Sequence, residues 1–165
     1  MKRVLLGLGS NNKFLTMAPL QILEKACEEL RLVLKDPVFS SVYKTRAMYV
    51  TDQEDFYNMA CTGFVDDTED AYLFLEKLHE IETKYGRDRS REIRFGPRTL
   101  DLDIELWGKQ TFNDEILEVP HPRLHERAFV LVPALEVLSE TTEIDIIQQF
   151  KNYLSALDTR DVEKL

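Results

Sequence analysis

The apolar positions of this chain change period several times, and each change marks an element. "RTLDLDIELW", 98–107, alternates without a break: Leu100, Leu102, Ile104 and Leu106 take one parity, Asp101, Asp103 and Glu105 the other. A period of two predicts a strand with the three acids on one face. "RVLLGL", 3–8, reads as a buried strand closed by Gly9 and the turn-like "SNN". From 15 to 34, Leu15, Ala18, Ile22, Leu23, Ala26, Leu30 and Val33 fall at helical spacing, with Pro19 near the first turn. "PVFSSVYKT", 37–45, and "DFYNMACTGFVD", 55–66, predict two more strands. A helix follows over 67–86, with Thr68 as its N-cap, Ala71, Phe74, Leu75, Leu78 and Ile81 as its stripe, and Gly86 at its end. A loop covers 87–99 and a short hairpin 110–119. Helices are predicted over 127–138, where Pro133 interrupts, and 144–154.

The order β-α-β-β-α-β predicts an α+β, ferredoxin-like sandwich: an antiparallel sheet with helices on one face, plus C-terminal additions. The 165 residues suit one domain, 1–165, with no linker or internal repeat. Such a fold alone says little about function.

Composition narrows the classes. Apolar content of 44% and charged content of 31% are those of a soluble globular protein. A net charge of -9 opposes general binding to nucleic acid or anionic membrane. Cys27 and Cys61 lie far apart without CxxC spacing, so neither a disulfide framework nor a cysteine zinc site is expected. No apolar run approaches the ~20 residues of a membrane helix, and the apolar start is too short for a signal peptide. A cytoplasmic location is expected.

Alternate residues on a strand face lie ~7 Å apart, so Asp101 and Asp103 suit magnesium, which takes one or two carboxylates and completes its shell with phosphates and water. The plainer alternative is a solvated face. "GRDRSREIRFGPRTLDLD" weighs against it, because Arg87, Arg89, Arg91, Arg94 and Arg98 crowd one loop of an acidic chain and lead into the acids. Guanidinium forks match phosphate oxygens, and cations beside carboxylates form the pattern of a metal–polyphosphate site. "VPHPRLHERAF", 119–129, adds His121, Arg123, His125 and Arg127. His121 and His125 are four apart, as a metal pair on a helix would be, but Pro122 opposes a helix there. "GLGSNN", 7–12, is a broken G-x-G-x-x-G, for which a tight strand-to-helix turn is the simpler account. In "DFYNMA", Phe56 and Asn58 share a face: an aromatic and an amide, suited to a flat heterocycle.

"RFGPRTLDLDIELWG" followed by "VPHPRLHERAFVLVPALE" closely resembles the 6-hydroxymethyl-7,8-dihydropterin pyrophosphokinase family, from "GLGSN" to about residue 138. The resemblance implies transfer of pyrophosphate from ATP to the hydroxymethyl oxygen of a reduced pterin in folate biosynthesis, with release of AMP. It implies two Mg2+ ions on Asp101 and Asp103, with Glu105 one step beyond and solvated. It assigns Arg94 and Arg98 to the phosphates, and Glu82, Arg87, Arg89, Arg98, His121 and Arg127 to the nucleotide. Asn58 would read the guanine-like edge of the pterin, with Thr45, Phe56, Phe95 and Phe129 around the ring. Phe56 stands where some relatives have Tyr, Phe95 where some have Trp, and Ala47 and Met48 replace prolines common after the Thr. Other folate-pathway enzymes are conceivable partners. From the residues alone an RNA-binding module and a nucleotidyl transferase remain open. The first needs aromatics that "CTGFVDD" barely echoes; the second would release pyrophosphate instead of AMP.

Overall fold

The computed structural model describes residues 1–46, 53–94, 96–139 and 142–165. Strand β1, Lys2–Ser10, is apolar on both sides: Val4, Leu6 and Leu8 enter one core and Leu5 another. A strand buried on both faces belongs inside a sheet. β1 pairs antiparallel with β4, Phe56–Val65, on one side and with β5, Asp101–Trp107, on the other. The predicted strand 37–45 is two strands, β2 at Lys35–Phe39 and β3 at Tyr43–Thr45, both on β4. The break falls at Ser40, whose hydroxyl accepts from the Ala60 N–H at 2.8 Å and donates to the Ser41 carbonyl at 2.7 Å. A side chain there replaces ladder bonds. β6, Phe112–Asn113, and β7, Glu118–Val119, make the predicted hairpin, and β8, Glu163–Lys164, extends the sheet beyond β3. The main order is β5-β1-β4-β3-β8, the ferredoxin-like arrangement with one strand added.

Helices α1, Pro19–Val33, and α2, Ala71–Lys84, cover one face. Pro19 opens α1, where a missing N–H costs nothing. Leu15 therefore lies outside the helix, 78% exposed, instead of joining its stripe. The N-cap of α2 is Asp70, not Thr68: its carboxylate accepts from the Tyr72 and Leu73 N–H groups at 2.9 and 3.0 Å. Helices α3, Ala128–Val137, and α4, Ile144–Ser155, pack on the other face against Leu5 and Ala60, around Leu131, Ala134, Ile147 and Phe150. Helices thus lie on both faces, two from the predicted motif and two from the C-terminal additions.

The alternation of β5 does not survive to its end. Its pairing with β1 shifts, so that Leu6 faces Ile104 while Leu5 faces Leu106, and Glu105 is the extra residue of a bulge. Leu100, Leu102 and Ile104 enter the first core, joined by Trp107. Leu106 packs against the second.

Because Phe150 is 1% exposed at the centre of the second core, Phe150→Ala should lower stability by ~3–5 kcal/mol. Urea denaturation followed by circular dichroism would measure it; a loss below ~1 kcal/mol would show that α4 is not integral to that core.

Candidate functional site

Beside the start of α3, the second face of the sheet is floored by glycine. Gly7 and Gly9 lie within β1, opposite Asp103 and Asp101 respectively, so "GLGS" is strand and not the expected turn. Gly9 also pairs with Asn58 of β4. A Cβ on Gly9 would lie 2.8 Å from Asn58 Oδ1, and one on Gly7 3.0 Å from Glu105 Oε1. The two glycines make room for polar side chains from the neighbouring strands.

Two clefts meet over this floor. In the first are Thr45, Phe56, Asn58 and Phe129, together with Arg46 and Glu105. Asn58 is held by its amide, which donates to Thr45 Oγ1 at 2.9 Å. The second contains Arg87, Arg89, Arg94, His121 and Arg123. Arg98, Asp101, Asp103 and Arg127 line both. One cleft presents rings and an amide, the other guanidiniums, and two carboxylates stand where they join.

The joint is held by buried charge. The side chain of Arg87, only 6% exposed, lies 2.7 Å from Asp101 Oδ1, 3.0 Å from Glu82 Oε1 and 2.5 Å from Glu92 Oε1. Glu82 also accepts from the Leu102 N–H at 2.9 Å and from Arg89 at 2.6 Å. Burial pushes the Glu82 carboxyl up to about 7 against the pull of both arginines. Burial opposes ionisation of Asp101 too, but Arg87 and Arg98 outweigh it and hold that carboxyl below its usual range. Among the described residues Asp103 has no such clamp; burial, with Asp101 beside it, pushes it up to about 7. Burial, with Asp103 beside it, takes Glu105 up to about 8. His121 is lowered to about 4 by burial and by Arg127, and its Nδ1 accepts from the Arg123 N–H at 3.0 Å. The neutral ring therefore carries its proton on Nε2 and can donate it to an anion. His125 is exposed, packs edge-on against Tyr153 and lines neither cleft.

Among the described residues no three His, Cys, Asp or Glu side chains cluster as a metal cage. Asp101 and Asp103 instead supply two carboxylates at an open junction beside an arginine-lined cleft. That donor set fits a hard cation whose remaining ligands are phosphate oxygens and water.

Residues 5–139 match the family described as 7,8-dihydro-6-hydroxymethylpterin-pyrophosphokinase, HPPK. The chain belongs to the HPPK family. It is 42% identical over 101 residues to a 2-amino-4-hydroxy-6-hydroxymethyldihydropteridine pyrophosphokinase of Bacillus subtilis, a match covering 61% of this chain and 58% of that protein. It is 35% identical over 130 residues to a mitochondrial folate synthesis bifunctional protein of Pisum sativum, covering 76% of this chain and 24% of that one. The fold resembles that of a Plasmodium falciparum HPPK-DHPS structure, with a TM-score of 0.62, 13% identity, and coverage of 99% of this chain and 47% of that one.

The residues expected from the HPPK resemblance divide into three groups. Asp101, Asp103, Arg94, Arg98, His121, Arg127, Thr45, Phe56, Asn58, Phe129, Arg87 and Arg89 all line one or both clefts. Glu82 does not: at 1% exposure its carboxylate is committed to Leu102, Arg87 and Arg89, so it can act only through them. Phe95, like Ala47 and Met48, lies outside the described residues. Glu105 corrects the expectation directly, being 1% exposed where a solvated side chain was expected, because it lies over Gly7 at the end of the floor that Phe129 and Val130 of α3 also line. Two further contributors were missed. Asn11 Oδ1 accepts from the Arg98 N–H at 2.8 Å, and the Asn11 and Asn12 N–H groups donate to the Arg98 carbonyl at 3.0 and 3.1 Å. Glu92 completes the clamp on Arg87. The signal for Asn11 was the "SNN" run, whose amides suit backbone anchoring as well as turns.

Asp103 is a raised acid, so the ligand-free fold binds its proton more tightly than the unfolded chain does. Its stabilising contribution is present at low pH and is lost as pH rises from about 4 through about 7. The melting temperature of the ligand-free protein should therefore fall, relative to Asp103→Asn, between pH 5 and pH 8. Melting curves that keep a constant gap across that range would contradict the assignment.

Proposed function

We propose that this protein transfers the terminal diphosphate of Mg-ATP to the hydroxymethyl oxygen of 6-hydroxymethyl-7,8-dihydropterin and releases AMP, a step of folate synthesis. The observation that carries this reading is the shared wall: Arg98, Asp101, Asp103 and Arg127 border both clefts. The family membership agrees with it. One cleft would take the pterin, with Asn58 and Thr45 on its amide edge and Phe56 and Phe129 on the ring. The other would take ATP, with Arg89, Arg94 and Arg98 on the phosphates and the Nε2–H of His121 on an oxygen.

The hydroxymethyl oxygen attacks the β-phosphorus, the bond from that phosphorus to the oxygen bridging the α-phosphate breaks, and AMP leaves with that oxygen. The hydroxyl proton passes to solvent; no side chain is assigned as its base. Such transfers need little covalent help, and positioning with charge neutralisation does most of the work. Asp101 and Asp103 would hold two magnesium ions, which when bound neutralise phosphate charge and acidify the hydroxyl. Arg87 keeps Asp101 ionised and in place, and the anchoring of Arg98 by Asn11 fixes the exit of the arginine loop. Leu8, Met59 and Val130, with the two rings, give the first cleft apolar walls.

The reading extends to residues 1–165 as one pyrophosphokinase unit acting in the cytoplasm. Among the described residues no helix is long and apolar enough to cross a membrane. Relatives named as bifunctional folate proteins and as HPPK-DHPS support a neighbouring folate-pathway enzyme as partner.

Protein given ATP, magnesium and the dihydropterin should produce AMP and a pterin carrying two more phosphates. Chromatography of the nucleotides, with mass measurement of the pterin, reads the outcome. ADP would mean attack on the γ-phosphorus, and free pyrophosphate attack on the α-phosphorus; either result sinks the proposal. Arg94, exposed on its loop, should matter to the chemical step alone. Arg94→Ala is expected to slow single turnover by ~100-fold or more with the melting temperature unchanged. An unaltered single-turnover rate would remove Arg94 from the mechanism.

A further inference from the structure

Glu105 is 1% exposed, yet neither of its carboxyl oxygens has a hydrogen-bond partner among the described residues. Buried polar atoms in native proteins are nearly always paired, so an unpaired one calls for a specific reason. Its place on the sheet supplies part of it. Glu105 keeps the parity of Asp101 and Asp103 and so lies on the glycine floor, where it lines the first cleft beside Asp103, Arg127 and Phe129.

The floor shows what surrounds the two unpaired oxygens. Gly9 clears space for the carboxamide of Asn58, and Gly7 clears space for the carboxyl of Glu105. These glycines are two residues apart on one strand, ~7 Å, close to the long dimension of a fused two-ring heterocycle. Arg127, the nearest cation to line this cleft, does not satisfy Glu105, and its own Nε is also buried without a partner. Whatever its charge, a carboxyl keeps an accepting oxygen, so the missing group is a hydrogen-bond donor.

We infer that Glu105 is a second recognition residue for the pterin: its carboxyl accepts a hydrogen bond from a ring or amino N–H at the inner end of the cleft, away from the edge held by Asn58. This rests on the function proposed above. It makes Glu105 a specificity-determining residue that favours donor-rich heterocycles over apolar rings of the same shape. A site built around a buried acceptor rejects ligands that leave that acceptor unpaired.

Calorimetric titration of wild type, Glu105→Leu and Glu105→Gln tests the inference. Each is titrated with the dihydropterin in the presence of magnesium and a non-hydrolysable ATP analogue, and separately with the analogue alone. Thermal melts of the ligand-free proteins accompany the titrations. Glu105→Leu should weaken pterin binding roughly ten- to hundredfold, the range for leaving a buried donor without its partner. Glu105→Gln, which keeps one accepting oxygen, should weaken it only about three- to tenfold. Affinity for the ATP analogue should not change, and the leucine variant should melt no lower than wild type, because it removes an unpaired buried group. Pterin affinity of the leucine variant within about twofold of wild type overturns the inference. So does a joint loss of both ligands with lowered melting, which a merely structural role would give. If the leucine variant does not fold, the glutamine variant decides by the same two titrations. Wild type that binds no pterin at all overturns the function proposed above, and this inference with it; wild type that binds while the leucine variant binds equally overturns the inference alone.

Discussion

One buried guanidinium holds the two halves of this site together. Arg87 meets Glu82 of α2, Glu92 of the arginine loop and Asp101 of β5, and it reaches all three from almost full burial. Three acids in a row on one face of a strand would otherwise repel one another at close range and low dielectric. Arg87 relieves the first of them and ties it to a helix from the opposite layer. Removing one partner of such a buried network leaves the others uncompensated, which is why these contacts act as a unit. The arginine loop starts at this anchor and ends at the second, where Ser10 Oγ donates to the Thr99 carbonyl at 2.6 Å and Asn11 grips Arg98. Between the two anchors, Arg89 and Arg94 reach the second cleft from a segment that carries little of the core.

The sheet divides its labour by face. Under α1 and α2 it is apolar throughout, with Val4, Leu6, Ile22, Leu30, Phe74 and Leu78 fully buried. On the other face, apolar packing against α3 and α4 occupies only the end marked by Leu5 and Ala60. The remaining floor is left to Gly7, Gly9, Asn58 and the acids. Burial on the first face and at the packed end offsets the cost of gathering like charges on the open end. Asp101 and Asp103 keep their places because the strand beneath them is fixed by Leu100, Leu102 and Ile104.

Much of this was legible in the chain. The alternation at 98–107 placed the acid pair, the helical spacing at 67–86 placed α2, and the Phe56–Asn58 parity placed an aromatic and an amide on one face. Other features depend on pairing between distant strands, which local patterns do not encode. Glu105 follows the parity of Asp101 and Asp103, and only the packing of α3 on the far end of that face shows that it is buried. Arg87 and Arg94 look alike in a basic run, yet one is a buried clamp and the other an exposed loop residue. Thr68 and Asp70 are both good caps, and the carboxylate, one residue before the helix, prevailed. The strand at 37–45 broke where the Ser40 hydroxyl took up backbone groups of Ala60 and Ser41.

Gly7 and Gly9 invert the usual way a binding site is read. They offer no atoms for recognition, and both have the extended backbone of an ordinary strand, which any residue could adopt. What they contribute is vacancy: each withholds one methyl group from a place that Asn58 and Glu105 need. Even alanine at either position would crowd those two groups. Two silent positions in the middle of a hydrophobic strand thereby set how near any flat group laid on this floor could come to the peptide plane.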